Sequence, residues 1–211
     1  MTMKKSMFRV AAMAVAMLFA TSVNAQIDLD GILGEVLGGG STNDVASGLT
    51  TVFSSKKQAT AQNIVGTWTY TEPAIVFTSD NLLTKAASKI AANKVENKIQ
   101  EQLSKYGIKP GTFSITFKED GTCTEVINGK TMNGKWTVAD SKLKLTIGGV
   151  KALSVTTQID GKDMQVVTDA TKLLNLFKTL GAKSSNANIK TVASLMKSVK
   201  GMQAGITLRK Q

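Results

Sequence analysis

The sequence predicts a mainly β fold with helical insertions: an eight-stranded up-and-down barrel, with a long helix between strands one and two and a helix pair between strands seven and eight. Three observations predict it. From residue 112 a run of short segments (TFSITFK, TCTEVI, TMNGKWTV, KLKLTI, ALSVTTQI, DMQVVT) alternates apolar and polar residues, the period of a strand with one dry face. The spacers EDG, NGK, ADS, GGVK and DGK are hairpin-turn chemistry. Long stretches of helical periodicity lie on either side of that run, before residue 107 and after residue 168.

In chain order, residues 1–25 have the layout of a secretory signal peptide. Lys4, Lys5 and Arg9 form a basic start, Val10 to Ala20 an apolar core, and Val23-Asn24-Ala25 a small-x-small cleavage site. The core is shorter than the roughly 20 residues of a spanning helix, and no Cys follows the site for a lipid anchor. The chain is therefore expected to be exported, to the periplasm or outside the cell, and soluble after cleavage. Residues 26–60 read as a helical preamble or linker. DLDGILGEVL sets Ile32, Leu33, Val36 and Leu37 at helical spacing, DVASGLTTVF reads as a second short helix, and SSKKQATAQ is polar.

The domain proper is expected at residues 61–211. NIVGTWTY alternates Ile64, Gly66, Trp68 and Tyr70 against Val65, Thr67 and Thr69, and AIVF continues the strand past Glu72-Pro73. Residues 80–106 then read as one helix, capped by Ser79 or Asp80 and stopped by Gly107. About 27 residues at 1.5 Å each span roughly 40 Å, more than the width of a small barrel, so the helix must overhang or bend. Its stripe runs Leu83, Ala87, Ile90, Ala91, Val95, Ile99, Leu103 and Tyr106. Ile90, Ala91, Val95 and Ile99 are expected to pack on the barrel mouth or on Leu173, Phe177 and Leu195 of the second helical insert. TDATKLLNLFKTLG and NANIKTVASLMKSVKG form that insert, and MQAGITLRK the last strand. A meander with one dry face closes into a barrel. An open sheet with helices over the dry face is the alternative.

Composition narrows the chemistry. The chain has 26 Lys and Arg against 15 Asp and Glu, a formal net charge of +11. Removal of Lys4, Lys5 and Arg9 with the leader would lower this by three, to +8. The lysines are scattered, as on a solvated surface, which implies at most a weak attraction to anionic lipid or glycan surfaces. Without a basic helix-turn-helix or an aromatic platform, nucleic-acid binding is not expected. The chain contains no histidine, so Ser-His-Asp and Cys-His catalysis and His metal sites are excluded. Cys123 is the single cysteine; it makes no internal disulfide or thiolate zinc site and reads as a buried strand residue. Most carboxylates fall at turns or helix starts. The expectation is a protein without catalytic residues, metal or cofactor.

The ordered set of motifs carries a resemblance. Gly66-x-Trp68 opening the first strand, followed by FKEDGTCTEVINGKTMNGKWTVADSKLKLTI, is similar to the bacterial lipocalin-like domains of the calycin group. TWTYTEPAIVF, the long helix, the DGT hairpin and LMKSVKGMQAGITLRK resemble a lipocalin-like family of exported Bacteroidetes proteins of unknown function, over about residues 60–211. The resemblance implies a β-barrel-like fold and an envelope location, and no established activity. It departs from a lipocalin in placing helices before the last strand. The arginine that crosses the first-strand Trp in lipocalins would correspond to Arg209, although by alternation Leu208 is the inward residue; contact with Trp68 and exposure are both open.

Two tryptophans, Trp68 and Trp136, stand in Gly-x-Trp-Thr frames behind Gly66 and Gly134. Parity of an up-and-down barrel puts both at the end opposite the helices, as a structural plug, with Gly leaving room for a ring or a backbone. The helices then cover the other mouth. Inward residues near that mouth, and so the expected ligand-lining set, are Phe113, Ile115, Ile127, Met132, Ile147, Leu153, Val166 and Met202, with Glu125 the one charge among them. The expected function is binding of a small apolar or amphipathic molecule under a helical lid. The alternative is a ligand-free structural or interaction module of the envelope with a protein partner there.

Overall fold

The computed structural model describes residues 51–83, 86–148, 153–169, 172, 194, 196, 197 and 199–211. Nine strands form one sheet: β1 (Thr51–Val52), β2 (Gly66–Phe77), β3 (Phe113–Phe117), β4 (Thr122–Ile127), β5 (Lys130–Ala139), β6 (Lys142–Ile147), β7 (Leu153–Asp160), β8 (Asp163–Thr168) and β9 (Met202–Lys210). A 3-10 turn (Ser55–Lys57) and the α-helices α1 (Ala61–Ile64), α2 (Asp80–Leu83) and α3 (Ala86–Lys105) accompany them among the described residues.

The sheet thus has one strand more than the eight expected. The addition, β1, falls inside DVASGLTTVF, which reads as helix from sequence. Its β-branched Thr51 and Val52 instead run parallel to Val76 and Phe77. That edge is free because β2 outruns its neighbour. β3 pairs only with Gly66 to Thr69, whereas β9 follows β2 from Trp68 to Phe77. A register shift between Tyr70 and Glu72, just before Pro73, bends β2 away from β3.

Because β2 bonds to both β3 and β9, the strands β2 to β9 close into an antiparallel ring with neighbours in sequence order. The split between β2 and β3 keeps it from being a regular barrel. The hairpins follow the turn chemistry. At the β4–β5 turn Asn128 and Gly129 both have positive φ, 50° and 76°, the twist that matches two antiparallel strands.

The expected single helix over 80–106 is present as α2 and α3, with residues 84 and 85 outside the described residues. Gly107 ends α3 at φ +78°. Its N–H donates to the Ser104 carbonyl and that of Ile108 to Leu103, both at 3.0 Å, and buried Ile108 packs beside Leu103. Ala91, Ala92, Val95, Ile99 and Leu103 are buried in one cluster with the inward side chains of the ring. Ile90 was expected to join them. It is instead the one exposed large hydrophobic among the described residues. The stripe advances by four, from 91 to 95, 99 and 103, and Ile90 lies one residue outside it. Leu173, Phe177 and Leu195, the alternative partners for α3, lie outside the described residues, as do residues 1–50.

Residues 54–60, assigned from sequence to the linker, also hold the wall. The Ser54 N–H donates to Gln158 Oε1 at 3.1 Å, Lys57 pairs with Asp160, and Gln58 bridges to Gln158. Thr51 Oγ1, Gln165 and Gln158 complete a hydrogen-bonded network of 2.6–3.1 Å on the outside of β7 and β8.

Candidate functional site

One end of the ring is built around the two tryptophans. Thr60 caps α1, accepting from Asn63 N–H while Asn63 Oδ1 accepts from Thr60 N–H. That fixes Ile64, whose carbonyl accepts the indole N–H of Trp68 at 2.7 Å. The indole of Trp136 donates to the Lys118 carbonyl at 3.0 Å, and its ring meets Phe117 edge-on at 5.4 Å. Both rings are buried.

The two glycines act differently. Gly66 has φ +129°, which L side chains rarely adopt. A Cβ on Gly134 would stand 2.4 Å from the Thr146 carbonyl oxygen and 3.0 Å from Cys123 Sγ, so this glycine admits a backbone. Over the Trp68 ring lies Lys210, its Nζ 5.2 Å from the centroid. Arg209 points away and donates to Asp163 at 2.8 Å, leaving Leu208 buried inward. Alternation along β9 decides this: residues 208 and 210 share the inner side.

Register sorts the expected ligand-lining residues into rows. Trp68, Ile115, Glu125 and Met132 stand side by side across β2 to β5. Phe113 and Ile127 form the next row toward α3. Ile147 does not belong with them; it pairs with Gly134, itself opposite Cys123, in the row that begins at Gly66 and Phe117. Val166 faces from β8, and Met202 stands beside Phe77 at the far end of β2. The Leu153 side chain lies outside the described residues. Every one of these that is described is buried, except half-buried Met132.

Two polar groups share this interior. Glu125 is fully buried among apolar neighbours. Thr157 pairs with inward Val166 and so faces the same side; its hydroxyl is fully buried and has no hydrogen-bond partner among the described residues. Alternation along SVTTQID predicts Thr157 inward, but a threonine in that position looks like wet-face composition. Tyr70 was also missed as a contact. Its hydroxyl donates to Gln100 Oε1 at 2.7 Å, tying α3 to the wall, and burial raises its pKa. Burial, helped by the Glu125 carboxyl, pushes the Cys123 thiol up to about 11, so it is not a ready nucleophile. Among the described residues, no group of three or more His, Cys, Asp and Glu side chains could hold a metal ion, and no helix is long and apolar enough to cross a membrane.

An antiparallel ring with an apolar interior, a tryptophan plug at one end and a helix packed into that interior defines a lipocalin-like domain. The chain belongs to the family described as lipocalin-like domain (DUF4923), which matches residues 41–210 and so includes the strap formed by β1 and residues 54–60. No curated protein matches it. A crystal structure of a DUF4847 family protein from Bacteroides vulgatus is similar over 70% of this chain and 95% of its own, at 14% identity and a TM-score of 0.32, too low to carry an argument.

Proposed function

We propose that the protein is exported and binds a small amphipathic molecule, without catalysis, inside the ring and under α3. The observation that supports it most is the Thr157 hydroxyl. A hydroxyl buried without a partner costs on the order of 1–3 kcal/mol, and a protein can recover that when a ligand's polar end meets it. The apolar rows around Ile115 and Phe113 suit the ligand's other end, and Glu125 supplies a second polar contact in the same interior.

The test compares wild type with Thr157→Val. Native mass spectrometry of protein purified from its own envelope, followed by uptake assays with fatty acids and other lipids, reads binding. The variant should lose uptake while its unfolding free energy stays the same or rises, because an apolar isostere removes the unsatisfied group. A wild type that retains nothing and takes up nothing would overturn the reading.

A second reading, a ligand-free module acting on an envelope partner, is favoured by one observation. Trp68, Phe113, Ile115, Phe117, Val95 and Ile99 form one continuous buried cluster, and eight-stranded rings can be filled by side chains alone. Crosslinking in envelope extracts separates the two. Loss of all partners on removing residues 26–50, which leaves β1 and the contacts of residues 54–60 in place, supports the module, and unchanged partners count against it.

A further inference from the structure

The outer wall of β3 to β6 has a chemistry that interior binding does not use. A groove of about 530 Å³ crosses β4, β5 and β6, lined on the solvent side by Lys118, Thr122, Thr124, Asn133, Lys135 and Thr146. Register builds it: Lys135 stands between Thr122 and Thr146, and Asn133 stands opposite Thr124. Gly134 lies at its base, where the missing side chain lets the β6 backbone close in.

The outer faces of these four strands are one-sided in charge. The only acid on these four strands, Glu125, points inward and is fully buried. Lys142 and Lys144 extend the outer face, because Leu143 and Leu145 between and beyond them are buried. The turns at the ends of these strands carry three exposed acids, Glu119, Asp120 and Asp140; all three lie outside the groove lining, and the Asp120 carboxylate is turned to its own loop, accepting from the Thr122 N–H and hydroxyl at 2.8 and 2.6 Å. On the opposite side of the ring the acids are paired, Asp160 with Lys57 and Asp163 with Arg209. A concave wall of one sign concentrates anions.

We propose that this groove docks an anionic polysaccharide, its carboxylates on Lys135 and Lys118 and its hydroxyls on the Thr and Asn side chains. Other anions fit less well. A lipid surface needs apolar residues to insert, and the one exposed large hydrophobic among the described residues, Ile90, is on α3. A protein partner is held by buried aromatic and aliphatic anchors, and a single-stranded nucleic acid by stacking on aromatic rings; this groove lining has neither.

Isothermal titration of the full chain with polygalacturonate at about 150 mM salt, where long-range attraction is screened, tests the proposal. Neutral dextran and phosphatidylglycerol vesicles are the comparisons. The wild type should bind polygalacturonate and not dextran. Lys118→Glu/Lys135→Glu should weaken binding roughly tenfold or more, and the neutral pair Lys118→Gln/Lys135→Gln less. Lys89→Glu/Lys105→Glu carries the same charge change on exposed positions of α3 and should alter affinity less than about twofold. No binding by wild type, equal losses in the wall and α3 variants, or tighter binding to vesicles than to polygalacturonate would each overturn it.

Discussion

Replacing Ile99 with Ala tests whether α3 is part of the domain or an arm lying on it. Ile99 is 1% exposed and shares a cluster with Val95, Leu103 and the ring interior. Truncation removes three carbons from a site whose neighbours are held by strands and cannot collapse freely, so a loss of about 2–5 kcal/mol is expected. For a domain of this size that lowers the thermal midpoint by roughly 4–20 °C. Its neighbour Lys98 is the control. The Lys98 side chain is 33% exposed and its partner, Glu101 at 3.3 Å, is 49% exposed, a pair worth only a few tenths of a kcal/mol. Urea unfolding followed by tryptophan fluorescence measures both variants, because Trp68 and Trp136 report the ring itself. If Ile99→Ala and Lys98→Ala proved equally harmless, the packing argument would fail, and the lid with it.

Gly134→Ala should destabilise the protein by about 3 kcal/mol or more, since the new methyl would meet a main-chain carbonyl at 2.4 Å; denaturation of the purified variant checks this. Cys123 should resist iodoacetamide at pH 8 in the native state and react once unfolded. Its folded pKa of about 11 lies above the ordinary 9.0, so the stability it contributes is complete below pH 9 and is lost as pH rises from 9 to 11; Cys123→Ala should flatten that part of the pH–stability curve. Gln158→Ala breaks contacts to Ser54, Thr51 and Gln165 together, so hydrogen exchange of the Ser54 amide should speed up while that of Trp68 in the plug does not.

How much of this was legible depended on which face of a strand a residue faces. The meander from Phe113 to Thr168 was readable because each dry face is marked by large apolar residues at a period of two and each turn by Gly, Asn or Asp. Glu125 was placed inward by the same rule, since Cys123 and Ile127 flank it. The strap was not readable. It covers Gln158 and Gln165, which are buried on the outer face yet polar, so their burial leaves no apolar trace in the sequence. Hydrogen bonds satisfy these groups in place of water, and only the fold shows which polar residues are treated so. The row of Ile147 was not readable for another reason. Counting from strand ends assumes level strands, whereas a closed ring staggers them, and that stagger brings Ile147 down to the row of Gly134.

The same stagger explains why the wall needs its additions. β3 has five residues and β2 twelve, so closing the ring through β9 leaves the far half of β2 without a strand on its other edge. An exposed edge there would present unpaired backbone and invite association. β1 takes Val76 and Phe77, the Gly111 N–H takes the Tyr70 carbonyl, and Tyr70 fastens α3 across the opening through Gln100. The helix and the strap therefore repair the one break in the ring. If a ligand enters the interior, this break, closed by the short β1 pairing, the Gly111 N–H and the Tyr70–Gln100 hydrogen bond in place of a full strand ladder, is where the wall resists it least. Tyr70→Phe should accordingly speed lipid uptake more than it lowers stability.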